Sequence, residues 1–166
     1  MKNLILAFCL LPLLPGCSSQ SAKVEKDVAL INNYVSAVEN LDYDAMSNYL
    51  ADDYVGVGPS VGDTIHKEQV ISFWKDNVTT LYETYKYEQS KTLGIIVPEG
   101  PMQGEWVAHW AVLEVTYKDQ RGGFTIMANT VYRVENDKIV RSFTFYNEAD
   151  ALEQLGYVFL NPDDLY

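Results

Sequence analysis

The feature that most constrains the fold is a change in hydrophobic period at about residue 83. Up to that point apolar residues recur every three or four positions, and after it they alternate with polar residues. The first apolar stripe consists of Val24, Val28, Ile31, Val35, Val38 and Leu41. Spacing of three and four places these side chains on one face of a helix, whereas a period of two is typical of half-buried strands. The sequence therefore predicts helices first and a sheet afterwards.

The remaining elements follow from the same periods and from turn residues. Asp42 is a candidate N-cap for a short second helix. A short strand is predicted at about residues 52–59, and a third helix at residues 67–82. Four long strands are expected at residues 84–97, 105–117, 123–134 and 138–147, and a closing helix at residues 147–156. This order predicts an α+β fold in which helices pack on one face of a strongly curved, mostly antiparallel sheet, forming a cone with an internal pocket.

The N-terminal segment has the composition of a secretory signal. Lys2 precedes an apolar run at residues 4–14, which is too short for a permanent transmembrane helix. The run ends at Leu14-Pro15-Gly16-Cys17, which resembles the lipobox of bacterial lipoproteins. That resemblance implies removal of residues 1–16 and lipidation of Cys17, with an ordinary signal peptide as the alternative. Residues 17–23 are predicted to be a lipidated cysteine and a flexible tether, and residues 24–166 a single domain.

The cysteines and the net charge limit the cellular compartments and the binding partners that we expect for this protein. Cys9 lies in the segment expected to be removed, so the mature domain would contain no disulfide. Ser18 after the cysteine resembles outer-membrane sorting, which implies a lipoprotein that faces the periplasm, with the cell surface as an alternative. The formal net charge of −11 disfavours binding to nucleic acid.

Three segments resemble the nuclear transport factor 2-like superfamily, and within it the SnoaL-like group. They are NNYVSAVENLDYDAMSNYLADDYVGVGP at residues 32–59, HKEQVISFWKD at 66–76, and NTVYRVENDKIVRSFTFYNEAD at 129–150. The resemblance implies the cone fold, which hosts isomerases, cyclases, dehydratases and non-catalytic binders.

Ketosteroid isomerase, the best-understood enzyme of this superfamily, needs an aspartate base and an oxyanion hole made by a tyrosine and a protonated acid. In the resemblance, the tyrosine matches Tyr34, the base matches Gly58, and the acid falls near Thr130 with Asn129 beside it. Because glycine cannot accept a proton, the resemblance argues against steroid-type isomerisation. Asp52 and Asp53 open the short strand, where acids of this kind usually cap or pair at the surface.

His109 is the candidate general base, because its reference pKa lies near neutrality. The alternative is a histidine satisfied within the core or at the sheet surface, and strand parity places it opposite Trp106 and Trp110. His66 and His109 are far apart and lack a ligand-spaced acid, so we predict no metal. We also predict no cofactor, since the sequence has no phosphate loop or Gly-x-Ser-x-Gly motif.

Matching the last two strands to the isomerase pattern implies a cone side and an outer side. Thr130, Tyr132, Ser142, Thr144 and Tyr146 would face the cone, and Met127, Phe143 and Phe145 the other face. In this superfamily a second subunit commonly covers such a face, so we predict a homodimer. The alternative is a cover formed by the C-terminal segment.

Three functional hypotheses follow. The first is a domain that binds a small, largely apolar molecule; its predicted ligand-binding residues are Tyr34, Tyr54, Trp74, Asn129, Thr130, Tyr132 and Tyr146. The second is a lyase, isomerase or cyclase with His109 as base and Tyr34 with Asn129 as oxyanion donors. The third is a non-catalytic assembly module that uses the outer sheet face. An empty cone lined by His109 would favour the enzyme, and an empty cone without it the binder.

Overall fold

The computed structural model describes residues 16–161. Its helices are α1 (Gly16–Glu39), α2 (Tyr43–Tyr49), α3 (Lys67–Thr80) and α4 (Glu148–Gln154). Its strands are β1 (Leu50–Val57), β2 (Thr64–His66), β3 (Tyr82–Val97), β4 (Gly104–Tyr117), β5 (Gly123–Glu135) and β6 (Lys138–Tyr146). The predicted elements are therefore present. The sequence did not predict β2, and the third helix ends two residues earlier than expected, where β3 begins.

The six strands form one open sheet in the order β2-β1-β6-β5-β4-β3. All neighbours are antiparallel except β1 and β6, which pair in parallel. Helix α1 packs against β3 and β4, α3 against β1, β2 and β3, and α4 against β5. The prediction of an α+β fold with helices on a mostly antiparallel sheet is confirmed.

The core lies between α1 and the sheet. Ile31, Val35 and Val38 from the predicted stripe pack there with Met46 and Ile139. Asp42 caps α2 as predicted, because its Oδ1 accepts a hydrogen bond from the backbone N–H of Ala45 at 2.9 Å. A smaller cluster joins Ala151 of α4 to β4 and β5. These two clusters hold the helices to one face and leave a space between α3 and the sheet.

The segment expected to be a tether is helical where the structure describes it, since α1 begins at Gly16. Lys23 forms ion pairs with Asp27 and Glu105. Val24 packs directly on Gly94 of β3, and a Cβ added at Gly94 would collide with the Val24 side chain. The signal peptide predicted at residues 1–16 falls outside the described residues except for Gly16. No helix within residues 16–161 combines the length and the hydropathy needed to cross a bilayer.

Candidate functional site

The space between α3, the loop at residues 58–63 and the sheet is a cavity of about 460 Å³. Ten aromatic side chains line it, seven of them tyrosines: Tyr34, Tyr54, Tyr82, Tyr85, Tyr87, Tyr132 and Tyr146, together with Phe73, Trp74 and Phe124. Its mouth is marked by Asp63, Phe73 and Tyr146, which are all solvent-exposed. Aromatic walls of this kind suit a small molecule with flat or apolar surface.

Strand parity decides which side chains of the sheet reach the cavity. Thr130, Tyr132, Ser142, Thr144 and Tyr146 all line it, as the sequence predicted. Their neighbours along the strands point to the opposite face, where Met127 is 81 % exposed and Phe145 is 55 % exposed. The prediction of a cone side and an outer side is confirmed by this arrangement.

Asn129 is a correction to the predicted site. It pairs with Trp110 on β4 and with Phe145 on β6, both of which face the outer side. Its Nδ2 donates to the backbone carbonyl of His109 at 3.2 Å, and it does not line the cavity. Since adjacent residues of a strand face opposite ways, Asn129 and Thr130 cannot both enter the cone.

His109 faces the helices but lies outside the cavity lining. It is 3 % exposed, and its ring meets that of Tyr87 edge to face at 5.1 Å. Desolvation by burial lowers the pKa of His109 despite the opposing charge of Glu39, so the imidazole is neutral at pH 7. Its Nε2 has no hydrogen-bond partner among the described residues. Tyr87 therefore forms this part of the cavity wall, and His109, the predicted base, lies behind it.

Some hydroxyl groups in the cavity are hydrogen-bonded to each other, and others have no hydrogen-bond partner in the described chain. Tyr54 Oη and Ser142 Oγ are hydrogen-bonded at 2.7 Å, and the hydroxyls of Thr130 and Thr144 at 3.2 Å. Tyr34 has edge-to-face contacts with Tyr49 and Tyr132, but its hydroxyl forms no hydrogen bond within the described chain. Burial raises the pKa of Tyr34 well above its usual value, so the hydroxyl stays protonated and can donate a hydrogen bond to a ligand.

Trp74 has two roles in the wall. It stacks edge to face with Tyr85 at 5.1 Å and with Tyr82 at 6.0 Å, which ties α3 to the start of β3. It also borders the cavity. Trp74 therefore takes part in packing within the chain, and its contact with a ligand stays a prediction.

Gly58, at the position that matches the isomerase base, also borders the cavity. Its φ of +96° lies in the region that favours glycine, and its N–H donates to the carbonyl of Asp63 at 3.1 Å. A Cβ at this position would collide with the backbone carbonyl oxygen of Thr144. The local backbone therefore disfavours any side chain at position 58, so an aspartate base is excluded for steric reasons as well.

Asp63 is a site residue that the sequence did not predict. It is the one charged side chain among the described residues that line the cavity. Asp52, by contrast, pairs with Lys67 at 2.7 Å on the surface, in agreement with the surface interpretation of the Asp52-Asp53 pair. Within residues 16–161 no group of three or more His, Cys, Asp or Glu side chains is placed to hold a metal ion.

The SnoaL-like domain family matches residues 31–142, which is more than half of the chain and includes the C-terminal part of α1, the cavity loop and most of the sheet. The chain belongs to the SnoaL-like domain family. None of the curated proteins matches the sequence.

Solved structures resemble this SnoaL-like domain across most of their length. A candidate polyketide cyclase from Xanthomonas campestris pv. campestris has a TM-score of 0.64 at 16 % identity, covering 80 % of this chain and 98 % of its own. An epoxide hydrolase of the LEH-like type from M. tuberculosis has a TM-score of 0.59 at 15 % identity, with 80 % and 91 % covered. A ketosteroid isomerase-like protein from Catenulispora acidiphila, solved with trimethylamine, has a TM-score of 0.57 at 18 % identity, with 78 % and 93 % covered. At these identities the likeness establishes the cone fold.

Proposed function

We propose that this SnoaL-like domain binds a small, largely apolar molecule in its inner cavity. The observation that carries the proposal is an aromatic-lined space of about 460 Å³ whose matched base position is a sterically enforced glycine. A cavity with many apolar walls and a few hydroxyls is the usual form of a small-molecule site. Of the three residues predicted to act in catalysis, Tyr34 borders the cavity, whereas His109 and Asn129 do not.

The second candidate is an enzyme of lyase, isomerase or cyclase type that uses the same cavity. Family membership favours it, because structural neighbours include candidate cyclases and an epoxide hydrolase. Turnover separates the two candidates: an enzyme would convert the ligand that the cavity binds, and a binder would release it unchanged.

Tyr34→Phe tests the binding proposal with Prodan, a neutral apolar fluorophore that carries a ketone oxygen. Prodan emission should shift to the blue on binding, because the dye moves from water into an aromatic cavity. The variant keeps the ring contacts with Tyr49 and Tyr132 but removes the free donor, so Prodan affinity should fall roughly threefold to tenfold. Tyr43→Phe, outside the cavity lining, is the matched control. No blue shift with the wild type would contradict the proposal.

We also propose that Cys17 carries lipid and anchors the domain to the outer membrane, facing the periplasm. The support is the sequence Leu14-Pro15-Gly16-Cys17 at the end of the apolar run. More than one acyl chain is needed for stable anchoring, and lipoprotein processing supplies them.

Labelling with palmitate tests the anchor directly. The wild type should incorporate label, and Cys17→Ser should lose it completely because serine offers no thiol for acylation. Cys9→Ser, in the segment expected to be removed, should be labelled like the wild type. Label retained by Cys17→Ser would refute the lipid attachment.

The outer face of the sheet supports a further part of the proposal, a homodimer. Leu93, Trp110, Met127 and Phe145 are exposed there, and an apolar area of this kind usually marks an interface. As far as the structure describes it, the C-terminal segment is a poor cover, because Tyr157, Val158, Phe159 and Leu160 are themselves exposed. An assembly role for this face is compatible with ligand binding inside the cone, since the two use opposite sides of the sheet.

A further inference from the structure

We infer that the cavity selects an organic cation, a ligand whose apolar body carries an alkylammonium group. The inference rests on the proposed function, since it names the chemical class that the proposed binding site would take. Two features carry it: the ten aromatic side chains in the wall, and the placement of Asp63 as the single charged residue of the described lining.

The aromatic wall is suited to a positive centre because the face of each ring is electrostatically negative. Trp74, Tyr82 and Tyr85 form one group of ring contacts, with centroids 5.1–6.0 Å apart. Burial raises the pKa of Tyr85 to about 12, which leaves its ring neutral and its hydroxyl protonated. A quaternary alkylammonium group has no N–H donors and is weakly hydrated relative to its size, so it can lie against such rings.

Asp63 supplies the opposite charge at the mouth. No lysine or arginine among residues 21–161 forms an ion pair with it. Its carbonyl accepts the N–H of Gly58, which fixes the loop against the cavity. Burial is the main cause of the raised pKa of Tyr146, and the negative charges of Glu148 and then Asp63 add to it, so the Asp63 carboxylate lies near that mouth residue. The charge is therefore directed at the entrance and is not neutralised by the described chain.

The same lining residues disfavour anionic ligands, inorganic cations and neutral ligands. An anionic ligand would meet no lysine, arginine or histidine among the described lining residues, and the chain carries a net charge of −11. An inorganic cation would need several oxygen ligands, whereas a single carboxylate lines the described part of this cavity. A neutral ligand would gain the apolar contacts but not the Coulombic attraction.

An isosteric series tests the inference on the whole protein. Choline, 3,3-dimethylbutan-1-ol and 3,3-dimethylbutanoate share a branched head of three methyl groups. This head is cationic in choline and neutral in the other two, and the butanoate carries a carboxylate in place of the hydroxymethyl group. Their dissociation constants are measured by calorimetry or NMR titration at low ionic strength. Choline should bind about tenfold more tightly than the alcohol, and the anion more weakly than either.

Two variants, each of which removes one negative charge, test whether the preference for choline arises at Asp63. Asp63→Asn should reduce the ratio of choline to alcohol affinity by about fivefold, because it removes the carboxylate at the mouth. Asp53→Asn removes an exposed carboxylate outside the cavity lining and should leave the ratio unchanged.

Each outcome bears on the inference separately from the proposed function. Prodan binding with no preference for choline over the alcohol overturns the inference and leaves the binding function standing. Absence of binding by Prodan and by all three isosteres overturns both. A preference that survives Asp63→Asn, or that falls equally with Asp53→Asn, also overturns the inference, because it would assign selectivity to the general acidic surface.

Discussion

Met127→Asp is expected to convert the proposed homodimer into a folded monomer. Met127 is 81 % exposed on the outer face, so in an isolated chain the aspartate would remain in water and leave the fold intact. In a dimer that uses this face the same charge would be buried without a partner, which costs several kcal/mol. The dimer dissociation constant should therefore rise by a factor on the order of a hundred or more.

Sedimentation of the wild type and the variant at tens of micromolar measures this change. Val61→Asp is the matched control, because Val61 is an exposed apolar residue in the loop at residues 58–63 and not on the sheet face. Phe143 is a poorer choice for the substitution, since its ring contacts Trp106 and the guanidinium of Arg141 within the same chain. A monomeric wild type would remove the dimer proposal, and a variant that unfolds would show that Met127 supports the monomer.

Gly58→Asp is expected to destabilise the domain without creating an isomerase. The substitution places the missing carboxylate at the matched position, but its Cβ would collide with the carbonyl oxygen of Thr144. The φ of +96° adds strain for any residue other than glycine. Together these effects should lower the free energy of unfolding by about 2–4 kcal/mol. Because Thr144 lines the cavity, Prodan affinity should fall as well.

Gly62→Asp separates the two causes. Gly62 has a similar φ of +92°, but a Cβ there would meet nothing within 4 Å. Its replacement should lower the free energy of unfolding by only about 1 kcal/mol, through backbone strain alone. Urea denaturation of the wild type and both variants gives the comparison. Equal stability of the two variants would show that Thr144 yields easily, and that the glycine at position 58 is not sterically required.

Asp63 could not be identified as a site residue from the sequence. It lies in the loop at residues 58–63, where no period constrains the direction of a side chain. The hydrogen bond from Gly58 to its carbonyl brings the loop back over the cavity, and this contact depends on the folded backbone. The glycine and proline in the loop indicate a turn, but not which residue the turn presents.

His109 shows a different limit. In β4 both alternating sets of residues are largely apolar, with Trp106 and Ala108 on one side and Val107 and Ala111 on the other. Because neither set is clearly polar, no polar face marks the orientation of the strand, and parity alone left the direction of His109 open. The structure turns it inwards but places Tyr87 at the cavity wall.

The sequence by itself determined the order and type of every element except β2, because each long segment has a single clear period and its ends carry breakers or caps such as Asp42. Together with the family resemblance, it also determined which residues of β5 and β6 share the cavity face, since the side chains that line the cavity there alternate along each strand. Tertiary structure alone decided the pairing of β1 with β6, the place of Asp63 at the mouth and the exclusion of His109 from the wall. Those features arise from contacts between residues far apart in the chain, and a local period contains no information about such contacts.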